Sequence, residues 1–206
     1  SKKYPGIKRI HLHTNGLMFD EKTYSQMKGI HHLSLSTDIS IDAATAEMYS
    51  KVRPPGNWKT LMKNLQFIKR LDNLVELGIS MVVQQENYKQ MLAFVELGES
   101  LVYRNRPTFV EFKRVWQYFH MSDEEYKKFN LDGMEPSMEK DFLKRLNLIE
   151  NKRMRQAKNK KLPTIQHNLQ EYLKPSKVTT TFGRLSSIIS SAPPISTLRW
   201  NLMSQK

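Results

Sequence analysis

The 206-residue chain contains no cysteine, which excludes disulfides and every metal site built on thiolates, iron-sulfur clusters among them. It has no run of eighteen apolar residues, so no membrane-spanning helix is expected. The start, Ser1-Lys2-Lys3-Tyr4-Pro5, carries charge with no apolar stretch behind it, unlike a secretory signal. A soluble protein is expected, cytoplasmic by default. Acidic residues run out toward the end: residues 151–206 hold 11 Lys and Arg against one acid, whereas residues 1–150 hold 22 against 19. A nearly balanced domain therefore precedes a basic tail.

An apolar content of 39%, with 10% aromatics, is that of a chain able to bury a core. Residues 7–13 and 33–41 alternate polar and apolar positions and read as strands, as do 77–83 and 108–116. Between them lie helical stretches at 21–28, 44–52, 58–71 and 89–101. In the third of these, Trp58, Leu61, Leu65, Ile68 and Leu71 recur at spacings of three and four and so share one face. The Pro54-Pro55-Gly56-Asn57 cluster separates the second helix from the third. Strands alternating with helices call for a parallel sheet, so the fold class is α/β. The polar alternation of the first two strands suits a barrel interior or an open half-barrel. A further amphipathic helix runs from 138 to 149 on Met138, Phe142, Leu146 and Ile149.

His11 and His13 share a strand face and His31-His32 lie in a loop, with no carboxylate at ligand spacing beside them in the sequence, so no metal site is assigned. The eleven methionines read as adaptable core filling. Trp116, Tyr118 and Phe119 read as packing after the fourth strand.

The strand ends carry a pattern: Leu12-His13-Thr14-Asn15-Gly16, then Ile39-Ser40-Ile41-Asp42 with Tyr49, Arg53 and Gly56-Asn57-Trp58, then Val82-Val83-Gln84 with Asn87, then the Trp116 segment running into Ser122-Asp123-Glu124-Glu125. In this order and spacing, residues 7 to about 131 resemble the later strands of a radical S-adenosylmethionine barrel, in the branch with shortened twitch or SPASM auxiliary domains. The resemblance implies a partial (β/α) barrel of about four parallel strands over residues 1–120; the apolar periodicity and charge described above add a helical extension over 121–150 and a basic, Ser- and Pro-rich tail over 151–206. The resemblance also implies that Ser40 faces the ribose or carboxylate of S-adenosylmethionine, that Arg53 pairs with its carboxylate, and that Asn15 and Asp42 sit at the carboxyl ends of their strands. Ser40 and Asp42 equally suit strand ends and caps without a ligand, and Arg53 suits a helix end.

The family's cluster-binding C-x3-C-x2-C loop, its first two strands and its glycine-rich methionine site have no counterpart here, and Pro54-Pro55 stand where the family commonly has glycine. Without a cluster to deliver an electron the chain is expected to be catalytically silent, with no cofactor and at most a vestigial S-adenosylmethionine site. Ser1 reads as what removal of an initiator methionine leaves, so a complete short gene product is expected. The tail, with Lys152, Arg153, Arg155, Lys158, Lys160 and Lys161 at its start, has too little apolar surface to fold alone. It is expected to order against nucleic acid or a protein neighbour, anchoring the chain in a larger protein or nucleoprotein assembly. Two alternatives stand beside this accessory role: a fragment of a split radical S-adenosylmethionine enzyme whose cysteines lie on another chain, and a weak S-adenosylmethionine or nucleotide binder.

Overall fold

Five segments lie side by side in one direction. In the computed structural model, which describes residues 6–117, 121–157, 159 and 161–173, they are β1 (Arg9–Thr14), β2 (Ser34–Ser40), β3 (Leu74–Val83), β4 (Thr108–Arg114) and β5 (Thr164–His167). The sheet order is β1-β2-β3-β4-β5 and every pairing is parallel. Helices fill the crossovers: α1 (Glu21–Gln26), then α2 (Ala46–Val52) and α3 (Trp58–Ile68), then α4 (Met91–Ser100), then α5 (Asp123–Phe129) and α6 (Pro136–Gln156), with α7 (Gln170–Leu173) after β5. Sequential strand order with crossovers of one hand puts the helices on one face, which is the winding of a (β/α) barrel rather than of a doubly wound sheet.

Residue parity along β2 separates the two faces. Leu35 and Ile39 join the helix-covered core, while Ser36, Asp38 and Ser40 point to the opposite face. The register carries this across the sheet: His13 lies opposite Asp38, Asp38 opposite Gly78, Ser40 opposite Ser80 and Ser80 opposite Glu111. One side is thus apolar and packed; the other is polar and half-open.

Local chemistry sets the elements. Asn57 caps α3 by accepting the Thr60 amide at 2.9 Å, and the predicted face buries Leu61, Leu65 and Ile68 completely. Full burial of each such side chain contributes roughly 1.5–3 kcal/mol. On the same face Asn64 donates to the carbonyls of Gly16 and Leu17, both at 2.9 Å, tying the turn after β1 to α3. Gly16 has φ +75°, and a Cβ there would sit 2.9 Å from both Ile39 and Leu61. At Gly98 a Cβ would come within 2.2 Å of Val110, so this glycine lets α4 lie close on β4.

The expected α/β sheet of about four parallel strands has five, and one boundary is corrected: the tail does not begin at Asn151. The boundary expected at 150 falls inside α6, which runs to Gln156, where Lys152 and Gln156 both reach Glu99 of α4 at 2.9 and 2.6 Å. After it, β5 pairs with β4, and Ile165 and Leu169 enter the core. The segment cannot build a core of its own; it joins the one already present. Residues 174–206, together with Tyr118, Phe119, Lys158 and Lys160, lie outside the described residues. Among the described residues no helix is long and apolar enough to cross a membrane.

Candidate functional site

The carboxyl ends of β1 to β4 bring together most of the residues singled out in the sequence. Asp42 follows β2 with φ +62°, a conformation Asp tolerates better than most side chains. Its Oδ1 accepts the Val82 amide at 2.7 Å, and its Oδ2 accepts from Arg53 Nε at 2.8 Å and Nη2 at 2.6 Å. Asn87 donates from Nδ2 to the carbonyls of Asp42 and Val82, each at 2.9 Å, and accepts the Gln84 amide at 2.8 Å. The Arg53 fork expected to receive a ligand carboxylate is thus already engaged by Asp42, and the pair locks the loop after β2 onto the end of β3. Asn15, exposed at the end of β1, accepts the Leu17 amide at 3.1 Å and shapes its own turn.

Ser40 belongs to a second network on the open face. Its Oγ lies 3.1 Å from His13 Nε2 and 3.4 Å from Ser80 Oγ. His13 Nδ1 contacts Asp38 Oδ2 at 3.0 Å, and Lys113 Nζ reaches the same oxygen at 3.3 Å and Glu111 at 3.0 Å. Burial pushes the Asp38 carboxyl up, but the His13 hydrogen bond and the Lys113 charge outweigh it and hold the group below its ordinary range. Burial likewise works against the Lys113 ammonium, yet Glu111 and Asp38 raise it above the usual lysine value. Asp38, His13 and Ser40 have the connectivity of an acid-base-nucleophile relay. The two amides that follow Ser40, those of Ile41 and Asp42, both donate to the Ser80 carbonyl, at 2.9 and 3.3 Å, and so are not available as oxyanion donors. What the network can do is orient Ser40 and hold protons at a polar surface.

Beside these networks a cavity of about 470 Å³ opens at the ends of β3 and β4. Gln84, Glu111 and Lys113 give it polar groups, while Trp116, Met121 and Phe129 give it an apolar wall. Trp116, read in the sequence as packing, is 64% exposed. The unforeseen segment after α6 contributes here too. Asn168 lines the cavity and accepts the Arg114 amide at 2.6 Å, and Tyr172 donates to Asp132 at 2.8 Å beside Arg114. Burial first, then the Asp132 carboxylate, raises the Tyr172 phenol far above its usual value.

The basic residues expected to begin a tail divide. Lys152 pairs with Glu99 and Arg153 with Glu150, both within the helical layer, while Arg155 and Lys161 are exposed. Among the described residues no group of three His, Asp or Glu side chains is placed to hold a metal. Sequence reasoning missed His13 because its carboxylate partner is 25 residues away and arrives only through the β1-β2 register. No protein-family model matches the chain, and no curated protein is similar to it.

Proposed function

We propose that this chain is a radical S-adenosylmethionine-type half-barrel that performs no cluster chemistry by itself and serves as an accessory part of a larger assembly. One observation carries the reading: an all-parallel sheet with helices over one face, whose other face is polar and whose β1 edge has no neighbour among the described strands. Parallel sheets are ordinarily covered on both faces, and a bare edge invites another strand. The absence of cysteine removes the thiolates the cluster needs, and the Arg53–Asp42 pair leaves the implied cofactor contact occupied. The partner is a polypeptide segment that extends the sheet beside β1 and closes over His11 and His13.

A second reading, the split enzyme, is favoured by the cavity beside Asp42 and the polar network around Ser40, which lie where barrels put their ligands. One experiment addresses both. Since the chain has no native thiol, His11→Cys gives a unique attachment point at the β1 edge. A photo-crosslinker placed there in the cell of origin should give one dominant adduct, mapping to a strand-forming segment. Crosslinks scattered over unrelated proteins would refute the accessory reading. An adduct carrying three cysteines, in a complex that retains iron, would replace it with the split enzyme. A rise in melting temperature with S-adenosylmethionine alone would favour a plain binder.

A further inference from the structure

Because all five strands run one way, the segments leading into them, residues 6–8, 27–33, 69–73, 102–107 and 161–163, meet the sheet at its amino edge. Asp72 is the only carboxylate in these segments, whereas the loops leaving the strands at 15–20, 41–45, 84–90 and 168–173 hold Asp20, Asp42, Glu86 and Glu171 against one lysine. Three of these four acids are paired where they stand, Asp42 with Arg53, Glu86 with Lys51 and Glu171 with Arg114, so the excess positive charge lies at the amino edge, away from the site described above. We propose that this amino-edge rim docks the phosphate backbone of a nucleic acid through Lys28, Lys69, Arg70, Arg104, Arg106 and Lys161.

The way these cations are held distinguishes them. Several Lys and Arg elsewhere in the fold are paired with carboxylates, as in Arg53–Asp42, Arg145–Asp141 and Lys152–Glu99. At the rim, Arg106 Nη1 donates to the Lys69 carbonyl at 2.8 Å and Lys69 Nζ to the Ser100 carbonyl at 3.1 Å. Carbonyls fix the side chains without cancelling their charge. Arg104 meets Asp72 at 3.4 Å, but that carboxylate is 96% exposed and the pair is screened by water. Burial and then like charges, Arg70 beside Lys69 and Arg104 beside Arg106, depress both groups. An anion docked at the rim relieves that repulsion.

Geometry favours phosphodiester over a bilayer. Arg104 and Asn105 form a turn with φ +53° and +55°, which displays the Arg104 guanidinium over the Tyr103 ring at 5.1 Å. Its planar fork suits bidentate phosphate contacts, for which a phosphate would compete with the exposed Asp72 carboxylate. Exposed aliphatic residues are sparse here, Ile7 and Leu162 at the outer ends of the rim and Val75 at the start of β3, too few to form the apolar face a bilayer would take up. Five strands at about 4.8 Å spacing make a rim of roughly 19 Å, the length of about six phosphates along one strand of a duplex.

This inference goes beyond the accessory role and does not depend on what completes the β1 edge. The test uses the full chain and fluorescein-labelled DNA of about twenty nucleotides, single-stranded and duplex, titrated across a salt series. Arg70→Glu/Arg104→Glu/Lys161→Glu is compared with Lys177→Glu/Arg184→Glu/Arg199→Glu, which changes net charge equally and alters none of the six rim residues. The rim variant should bind at least about tenfold more weakly than the control, with a salt slope shallower by about three. Should charge reversal disturb folding, the corresponding glutamine triple must show the same order. Equal weakening by both variants, or greater weakening by the control, would overturn the proposal. So would an absence of DNA binding, or tighter binding to vesicles containing phosphatidylserine. Failure here leaves the β1 crosslink unaffected, and failure of that crosslink leaves this titration unaffected.

Discussion

At the scale of single residues, Asp42 does the most structural work at the site, joining the loop after β2 to β3 and to Arg53. Asp42→Ala leaves the Val82 amide and the Arg53 guanidinium without their acceptor, and breaking such a pair from one side costs about 3–5 kcal/mol. Asp42→Asn keeps a side chain that tolerates φ +62° and an oxygen for Val82, and should cost less than half as much in urea denaturation. Equal losses in the two variants would place the whole effect in the charge pair with Arg53 and contradict the part given to the Val82 contact and the backbone conformation. Glu150 supplies a pH signature. Arg153 chiefly, with His167 assisting and partial burial opposing, lowers its carboxyl from 4.5 to about 2. A carboxyl depressed in the folded state stabilises above its unfolded value, and that contribution fades as pH falls from 4.5 toward 2. Glu150→Gln should flatten this part of the acid limb by on the order of 1–2 kcal/mol after solvent screening; an unchanged acid limb would show the pair to be energetically silent.

At the scale of elements, Gly98 decides how closely α4 lies on β4. Gly98→Ala forces its methyl into Val110 and should cost about 1–3 kcal/mol, part of which Val110→Ala should recover. Simple additivity in the double variant would contradict the close approach. The elements that sequence made legible are those whose burial pattern is local. α3 shows its face at spacings of three and four, and β3 is a long apolar run. β5 has a single buried residue, Ile165, in four, so nothing in its own pattern sets it apart from a solvated segment; it exists because β4 offers an edge. α5 buries nothing and shows no apolar period, yet Ser122 and Glu125 form a capping box that was in plain view as a tetrapeptide. The site divides likewise. Ser40, Asp42 and Arg53 stand at strand and helix ends, where local sequence marks the position though not the role, whereas the His13–Asp38 contact depends on register, which no local spacing reveals.

At the scale of the whole fold, sequential parallel strands produce a two-sided object: a helix-covered apolar layer, a polar open face, charge-paired loops at one strand end and basic segments at the other. The open face is the natural place for a covering partner. If it is covered in the assembly, the amides of β1 should exchange far more slowly there than in the isolated chain, while those of β3, central in the sheet, should be protected in both. Equal β1 protection in the two states would mean that nothing adds to this edge.

The most direct measurement is reductive cleavage of S-adenosylmethionine. The purified chain, incubated anaerobically with iron, sulfide, reductant and S-adenosylmethionine, is predicted to form no 5′-deoxyadenosine, since it has no thiolate to hold a cluster. Formation of 5′-deoxyadenosine by this polypeptide without a second protein would contradict the account at its base.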